Sequence, residues 1–166
     1  IKWKNRADRK PLILQGARQI GKTTSIRAFG NTQYSHIAEF NFDKNKELKR
    51  VFEATKDIKR ILLELSYYTN APIIAGETLI FFDEIQECSE ALNTLKYFDE
   101  DAPEFHVIAA GSLLGVALNR AGTSFPVGKV NFIQMYPVTF QEYLRAAEEK
   151  LYSYAENISR IDSSPQ

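Results

Sequence analysis

Apolar residues fall along this chain in short, separated clusters, each the length of a strand or of one helix face. Leu12, Ile13 and Leu14 follow Pro11 directly and read, with Gln15, as a short buried strand. A helix is expected to start near Lys22, because Thr23 to Phe29 holds no breaker before Gly30. Ile37, Phe40 and Phe42 alternate well enough for a second strand over 36–42. Two helices follow, carried by Leu48, Val51 and Phe52 and then by Ile58, Ile61, Leu62 and Leu65, both at i, i+3, i+4 spacing. Asn70-Ala71-Pro72 ends the second of them. Residues 78–82, TLIFF, are a continuous apolar run with no polar alternation, the pattern of a strand buried on both faces. An amphipathic helix is expected over 88–99, a fourth strand over 105–110 and a short helix over 113–119. Residues 120–129 are loop-like, and VNFIQMY at 130–136 gives a fifth strand. Thr139 with Glu142 forms a capping box ahead of a last helix containing Tyr143 and Leu144.

Strands alternating with helices predict a three-layer αβα domain with a mainly parallel five-stranded sheet. The domain is expected within 1–150, and 151–166 reads as a polar tail or the start of a linker to a further domain. The start at Ile1 and the polar end Ser163-Ser164-Pro165-Gln166 suggest a piece of a longer protein.

Composition narrows the class without naming it. Apolar content of 44% and charged content of 25% are those of an ordinary globular chain. The formal net charge is zero, so nothing global draws the chain to nucleic acid or to acidic lipid. The longest apolar runs are strand-length, so neither a membrane span nor a signal peptide is expected. Cys88 is the single cysteine, which forbids an intrachain disulfide and fits a reducing, cytoplasmic setting. His36 has no partner at ligand spacing and reads as a strand-edge residue, and His106 reads as structural. Trp3, in a basic lead-in with Lys2, Lys4, Arg6, Arg9 and Lys10, either packs on the domain or passes near a bound base.

Chemistry enters at residues 11–24, PLILQGARQIGKTT. Gly16, four residues, then Gly21, Lys22 and Thr23 make the G-x-x-x-x-G-K-[ST] pattern, here preceded by a strand and followed by a helix. Consecutive backbone N–H groups can converge on a polyphosphate only where glycine permits the torsions and the close approach. The helix N-terminus adds unpaired N–H groups and the positive end of its dipole. The expected nucleotide-binding residues are therefore Gly16, Ala17, Arg18, Gln19, Ile20, Gly21, Lys22, Thr23 and Thr24. Lys22 is expected to reach the β- and γ-phosphates, and the Thr23 hydroxyl to hold Mg²⁺.

A second anchor follows the TLIFF strand. In a parallel sheet the ligand crevice lies at the carboxyl ends of the strands, which puts Asp83-Glu84 on the same edge as the glycine loop. Asp83 suits a metal ligand, and Glu84 suits a residue that polarises an attacking water. An acidic pair opening the next helix is the plain structural alternative. Ser112, just past the fourth strand, is placed either to contact a γ-phosphate or to cap the helix after it. The guanine-reading Asn-Lys-x-Asp signature is broken at Asn45-Lys46-Glu47-Leu48, which favours ATP over GTP.

Taken together, PLILQGARQIGKTT, TLIFFDEIQ, VIAAGSLLG and VGKVNFIQMYPVTFQEYL resemble the AAA+-like P-loop ATPase domain of a large family of prokaryotic proteins. In that family an ATPase domain precedes a C-terminal domain of unknown function. The resemblance covers about residues 3–148. It implies a sheet ordered 5-1-4-3-2, with Gly16 to Thr24 as Walker A, Asp83-Glu84 as Walker B and Gly111-Ser112 at sensor 1. The family usually carries Gly-Arg before the last strand, where this chain has Gly128-Lys129. Lysine keeps the charge and loses the bidentate fork of a trans-acting finger, which leaves Arg120 as the other candidate. The implied activity is Mg²⁺-dependent ATP hydrolysis, with Lys22, Glu84 and Ser112 as the catalytic set and Thr23 and Asp83 at the metal. Self-association and a nucleic-acid or protein client are compatible partners. A nucleotide-gated interaction module and a small-molecule kinase are the alternative functions.

Overall fold

A computed structural model describes residues 2–112 and 128–147. In chain order it contains strand β1 (Leu12–Gln15), helix α1 (Lys22–Gln33), β2 (His36–Asn41), α2 (Leu48–Ala54), α3 (Ile58–Thr69) and β3 (Thr78–Asp83). A 3₁₀ turn (Ile85–Glu87), α4 (Ser89–Asp101), β4 (His106–Gly111), β5 (Asn131–Gln134) and α5 (Phe140–Ala147) complete it. The five strands form one sheet ordered β2-β3-β4-β1-β5, parallel throughout, as the resemblance implied.

β3 shows why the sheet has two cores. All six of its residues are buried, and the pleat sends them alternately to opposite faces. Ile80 and Phe82 join α2, α3 and α4 through Leu48, Phe52, Ile61, Leu65, Leu92, Leu95 and Phe98. Leu79 and Phe81 join Leu12, Leu14, Ile108 and Ala110 of neighbouring strands, with Ile26 of α1 and Trp3 packed over them. Phe82 is the hub of the first core, its ring centroid 5.6–6.2 Å from those of Phe40, Phe42, Phe52 and Phe98. Replacing it by alanine is expected to cost about 3–5 kcal/mol, read as a lower urea midpoint at unchanged slope.

α1 runs through Gly30 to Gln33. The glycine is tolerated because the helix lies so close to the sheet there that a Cβ would collide with the Ile37 side chain and crowd Leu79. The helix instead stops at Tyr34, whose hydroxyl lies 2.7 Å from Nδ1 of His106. Burial, with Arg9 and Lys4 nearby, holds the His106 imidazole down at about 4, and its ring packs edge-on against Trp3 and Tyr34. Trp3 packs edge-on against Phe29 and His106, and its indole N–H donates to the Lys10 carbonyl at 2.9 Å. The basic lead-in is thus folded onto the sheet.

α3 closes where Asn70 adopts a left-handed conformation, its N–H capping the Ser66 and Tyr67 carbonyls. A second compact unit begins at Tyr136. In it the capping box is present: Thr139 N–H donates to Glu142 Oε2 at 2.8 Å, and Glu142 N–H donates to Thr139 Oγ1 at 3.2 Å. The helix expected over 113–119, Arg120 and the tail after 147 lie outside the described residues. No helix among the described residues is long and apolar enough to cross a membrane.

Candidate functional site: the glycine loop and the carboxyl edge of the sheet

The loop between β1 and α1 is held in place by the sheet. Gln15 pairs with Gly111 of β4 and Gln134 of β5, and its carbonyl accepts from Met135 N–H at 2.7 Å. Gly16 must be glycine because a Cβ there would land on the Met135 carbonyl oxygen and the Ile20 δ-methyl. Gln19 is left-handed at φ 63°, as is Gly21 at φ 93°, so the chain turns sharply before α1 starts at Lys22. No acidic residue occupies the first turn of α1 and no side chain caps it, which leaves its N–H groups and positive dipole end for an anion.

Lys22 is buried, and its amino group donates to the carbonyls of Gly16 at 2.8 Å and Ala17 at 2.6 Å. The loop therefore curls around the ammonium that would meet a phosphate. Arg18, Gln19, Gly21, Lys22, Thr23, Thr24 and Glu84 line a cavity of about 240 Å³ beside it. Ala17, Arg18 and Gln19 are exposed, and Ile20 is half-buried under the loop.

The second anchor meets this loop directly. Thr23 Oγ1 lies 3.4 Å from both carboxylate oxygens of Asp83, the last residue of β3. Asp83 is itself buried, and Asn41 Nδ2 donates to its Oδ2 at 3.0 Å. Burial raises the Asp83 carboxyl above its ordinary range; Asn41 and the Glu84 N–H oppose that, while Glu84 and Glu39 add to it. A buried carboxylate held in this way, facing a threonine hydroxyl, is a hard-oxygen pair suited to Mg²⁺. Among the described residues no cluster of three or more His, Cys, Asp or Glu offers a metal cage. Mg²⁺ does not require one, since phosphate and water complete its octahedron.

Glu84 is left-handed at φ 51°, an arrangement that costs a non-glycine residue about 1–3 kcal/mol. It opens the 3₁₀ turn, its carbonyl accepting from Glu87 N–H at 3.0 Å. Of the acidic pair, Asp83 belongs to β3 and Glu84 alone opens the following turn. Glu84 lines both the loop cavity and a wider polar cavity of about 830 Å³ with Arg27, Glu39, Asn41, Asp43, Lys44 and Asp83. Ser112, at the end of β4, sits next to the loop, and Arg18 Nε reaches its hydroxyl at 3.4 Å. Lys129 is engaged by Asp99 and Glu100 of α4 at 3.6 and 3.0 Å.

Three contributors to the site were not singled out in the sequence: Asn41, Gln86 and the Arg27–Glu39 pair, which is bidentate at 2.8 and 2.7 Å. Asn41 stands directly opposite Asp83 in the β2–β3 register. A polar residue closing an apolar strand beside a strand that ends in aspartate was the available signal. Cys88 is buried, with its thiol pushed up to about 11 by burial, and takes no part.

A parallel sheet in this order, with a glycine loop leading into α1 and an aspartate at the end of β3, defines an α/β domain of the P-loop NTPase type. The chain belongs to the AAA domain family, whose model matches residues 8–144. The Walker-type ATPase PABY2304 of Pyrococcus abyssi superposes with a TM-score of 0.51 at 18% identity, covering 86% of this chain and 54% of that one. The Aeropyrum pernix ORC1 protein, solved in complex with DNA, gives a TM-score of 0.48 at 15% identity over 86% of this chain and 43% of that one. The chain thus spans about half the length of these solved relatives. No curated protein matches it.

Proposed function

We propose that this domain binds ATP with Mg²⁺ and hydrolyses it. The observation that carries the reading is the meeting of two distant segments at one sheet edge, Lys22-Thr23 of the glycine loop against Asp83-Glu84 of β3. Lys22, already gathered by the loop carbonyls, holds the β- and γ-phosphates together with the amides of Gly16 to Thr24. Thr23 and Asp83 would hold Mg²⁺, which neutralises charge on the phosphate oxygens when bound. Glu84 orients the attacking water and takes its proton as the new oxygen–phosphorus bond forms and the bond to ADP breaks. Ser112, whose hydroxyl accepts from Arg18 Nε at 3.4 Å, would add a donor towards the γ-phosphate. Such chemistry is positioning and electrostatics. The test is phosphate release from ATP by the intact protein, which should require Mg²⁺ and stop in its absence.

Asp83 supplies a further prediction. A carboxyl whose pKa is raised by folding binds protons more tightly in the folded chain, so its contribution to stability falls as pH climbs from about 3.8 through the raised value. Above that window the ionised, buried Asp83 is a standing penalty, which a bound cation relieves. Asp83→Asn is therefore expected to melt at or above the unaltered protein at pH 7 without metal. It should also lose the extra stabilisation that Mg²⁺ gives with ATP. Thermal melts with and without Mg²⁺ check both halves; a variant that melts far lower, or keeps the full Mg²⁺ response, contradicts the assignment.

A further inference from the structure

We propose that Gln86 is the positioning residue for Glu84: its side-chain amide clamps one carboxylate oxygen so that the other faces the cavity. The inference rests on the reading of Glu84 as the water-orienting base.

Gln86 Nε2 donates to Glu84 Oε2 from two residues further along. The contact is built by the backbone. The left-handed Glu84 and the 3₁₀ turn over Ile85–Glu87 fold the chain back, while Ile85 and Cys88, at 0% and 1% exposure, pin the turn into the core. Glu84 N–H donates to Asp83 Oδ1 at 3.2 Å and Cys88 N–H to the Ile85 carbonyl at 3.0 Å, which fixes the same segment at both ends. The Glu84 backbone is thereby held at both ends, but its side chain keeps three rotatable bonds unless something holds the tip. Gln86 is the group that does.

The other end of the same amide supports a dedicated role. Gln86 Oε1 is buried with no hydrogen-bond partner among the described residues. An amide so placed forgoes half of its hydrogen bonding, and turning it over would aim its oxygen at a carboxylate. The orientation is therefore dictated by Glu84. Glu84 lines both cavities and Gln86 lines neither, so Gln86 acts through Glu84 and not on the nucleotide.

The experiment compares single-turnover ATP hydrolysis and Mg-ATP affinity in the intact protein, Gln86→Leu, Gln86→Glu, Glu84→Gln and the Gln86→Leu/Glu84→Gln double variant. Both Gln86 variants should hydrolyse about tenfold to a hundredfold more slowly, with the dissociation constant changed less than about twofold. Glutamate has the shape of glutamine without the donor, so a mere packing role would be rescued by Gln86→Glu and a clamp would not. In the Glu84→Gln background Gln86→Leu should cause no additional loss. Normal hydrolysis in Gln86→Leu or Gln86→Glu, with Glu84→Gln slow, overturns the clamp alone. A weakened Mg-ATP affinity, or losses that multiply in the double variant, also overturns it. Normal hydrolysis in Glu84→Gln, or none in the unaltered protein, overturns the reading of the base and the clamp with it.

Discussion

Lys22→Ala is expected to abolish the thermal stabilisation by Mg-ATP proposed for the unaltered domain. Nucleotide at a hundredfold over its dissociation constant stabilises a folded protein by about 2.7 kcal/mol. For a domain of this size that is a rise of about 5–10 °C in melting temperature. The expectation of a complete loss follows from where Lys22 sits. Its ammonium is buried at the floor of the loop, bonded to the Gly16 and Ala17 carbonyls, and α1 brings no acidic residue to its first turn. Without that charge the loop offers amides alone to a polyanion, while the Met135–Gln15 bond that ties the loop to the sheet is untouched. The variant should therefore fold, melt close to the unaltered protein without ligand, and fail to respond to nucleotide. A full ATP-induced rise in Lys22→Ala would remove the loop from the binding site.

Glu84→Gln separates binding from chemistry. Glutamine keeps the size and hydrogen-bonding capacity of the side chain and removes its ability to accept a proton. Lys22, Thr23 and Asp83 are untouched, so Mg-ATP should bind as before and the thermal rise should persist. Hydrolysis should fall by about 10²–10⁴-fold, the usual contribution of a positioned acid or base. The two variants thus fail in opposite ways, one at binding and one at turnover. A Glu84→Gln protein that turned over normally would reassign the base, with Glu39 and Asp43 in the adjoining cavity as the acidic residues to examine next.

Much of the fold could be read from local pattern because the three central strands, β1, β3 and β4, are nearly continuous buried runs. TLIFF carries no polar interruption, and the structure buries every residue of β3. Apolar spacing located α2 and α3 for the same reason, since a helix that packs on one face must repeat. The glycine loop was legible because its pattern is local, with Gly16, Gly21, Lys22 and Thr23 close together in sequence. The end of α1 was not legible, because the role of Gly30 is tertiary: it admits Ile37 and Leu79 against the helix. Asn41 was out of reach for a related reason. Its partnership with Asp83 exists only once β2 and β3 pair in a particular register, which no local pattern specifies. Gln86 lies two residues from Glu84 in plain view, yet its contact depends on Glu84 adopting a left-handed backbone that glutamate seldom takes.

The central claim is that water, oriented at the edge formed by the glycine loop and β3, attacks the γ-phosphate of bound ATP. The most direct measurement is turnover of Mg-ATP by the intact protein in ¹⁸O-labelled water, followed by mass spectrometry of the inorganic phosphate and the ADP. Attack by water on the γ-phosphorus places the solvent oxygen in inorganic phosphate and leaves ADP unlabelled. That labelled phosphate, lost in Glu84→Gln, is the predicted result. Unlabelled phosphate, label in ADP, or ADP formed only when an acceptor molecule is supplied would contradict it.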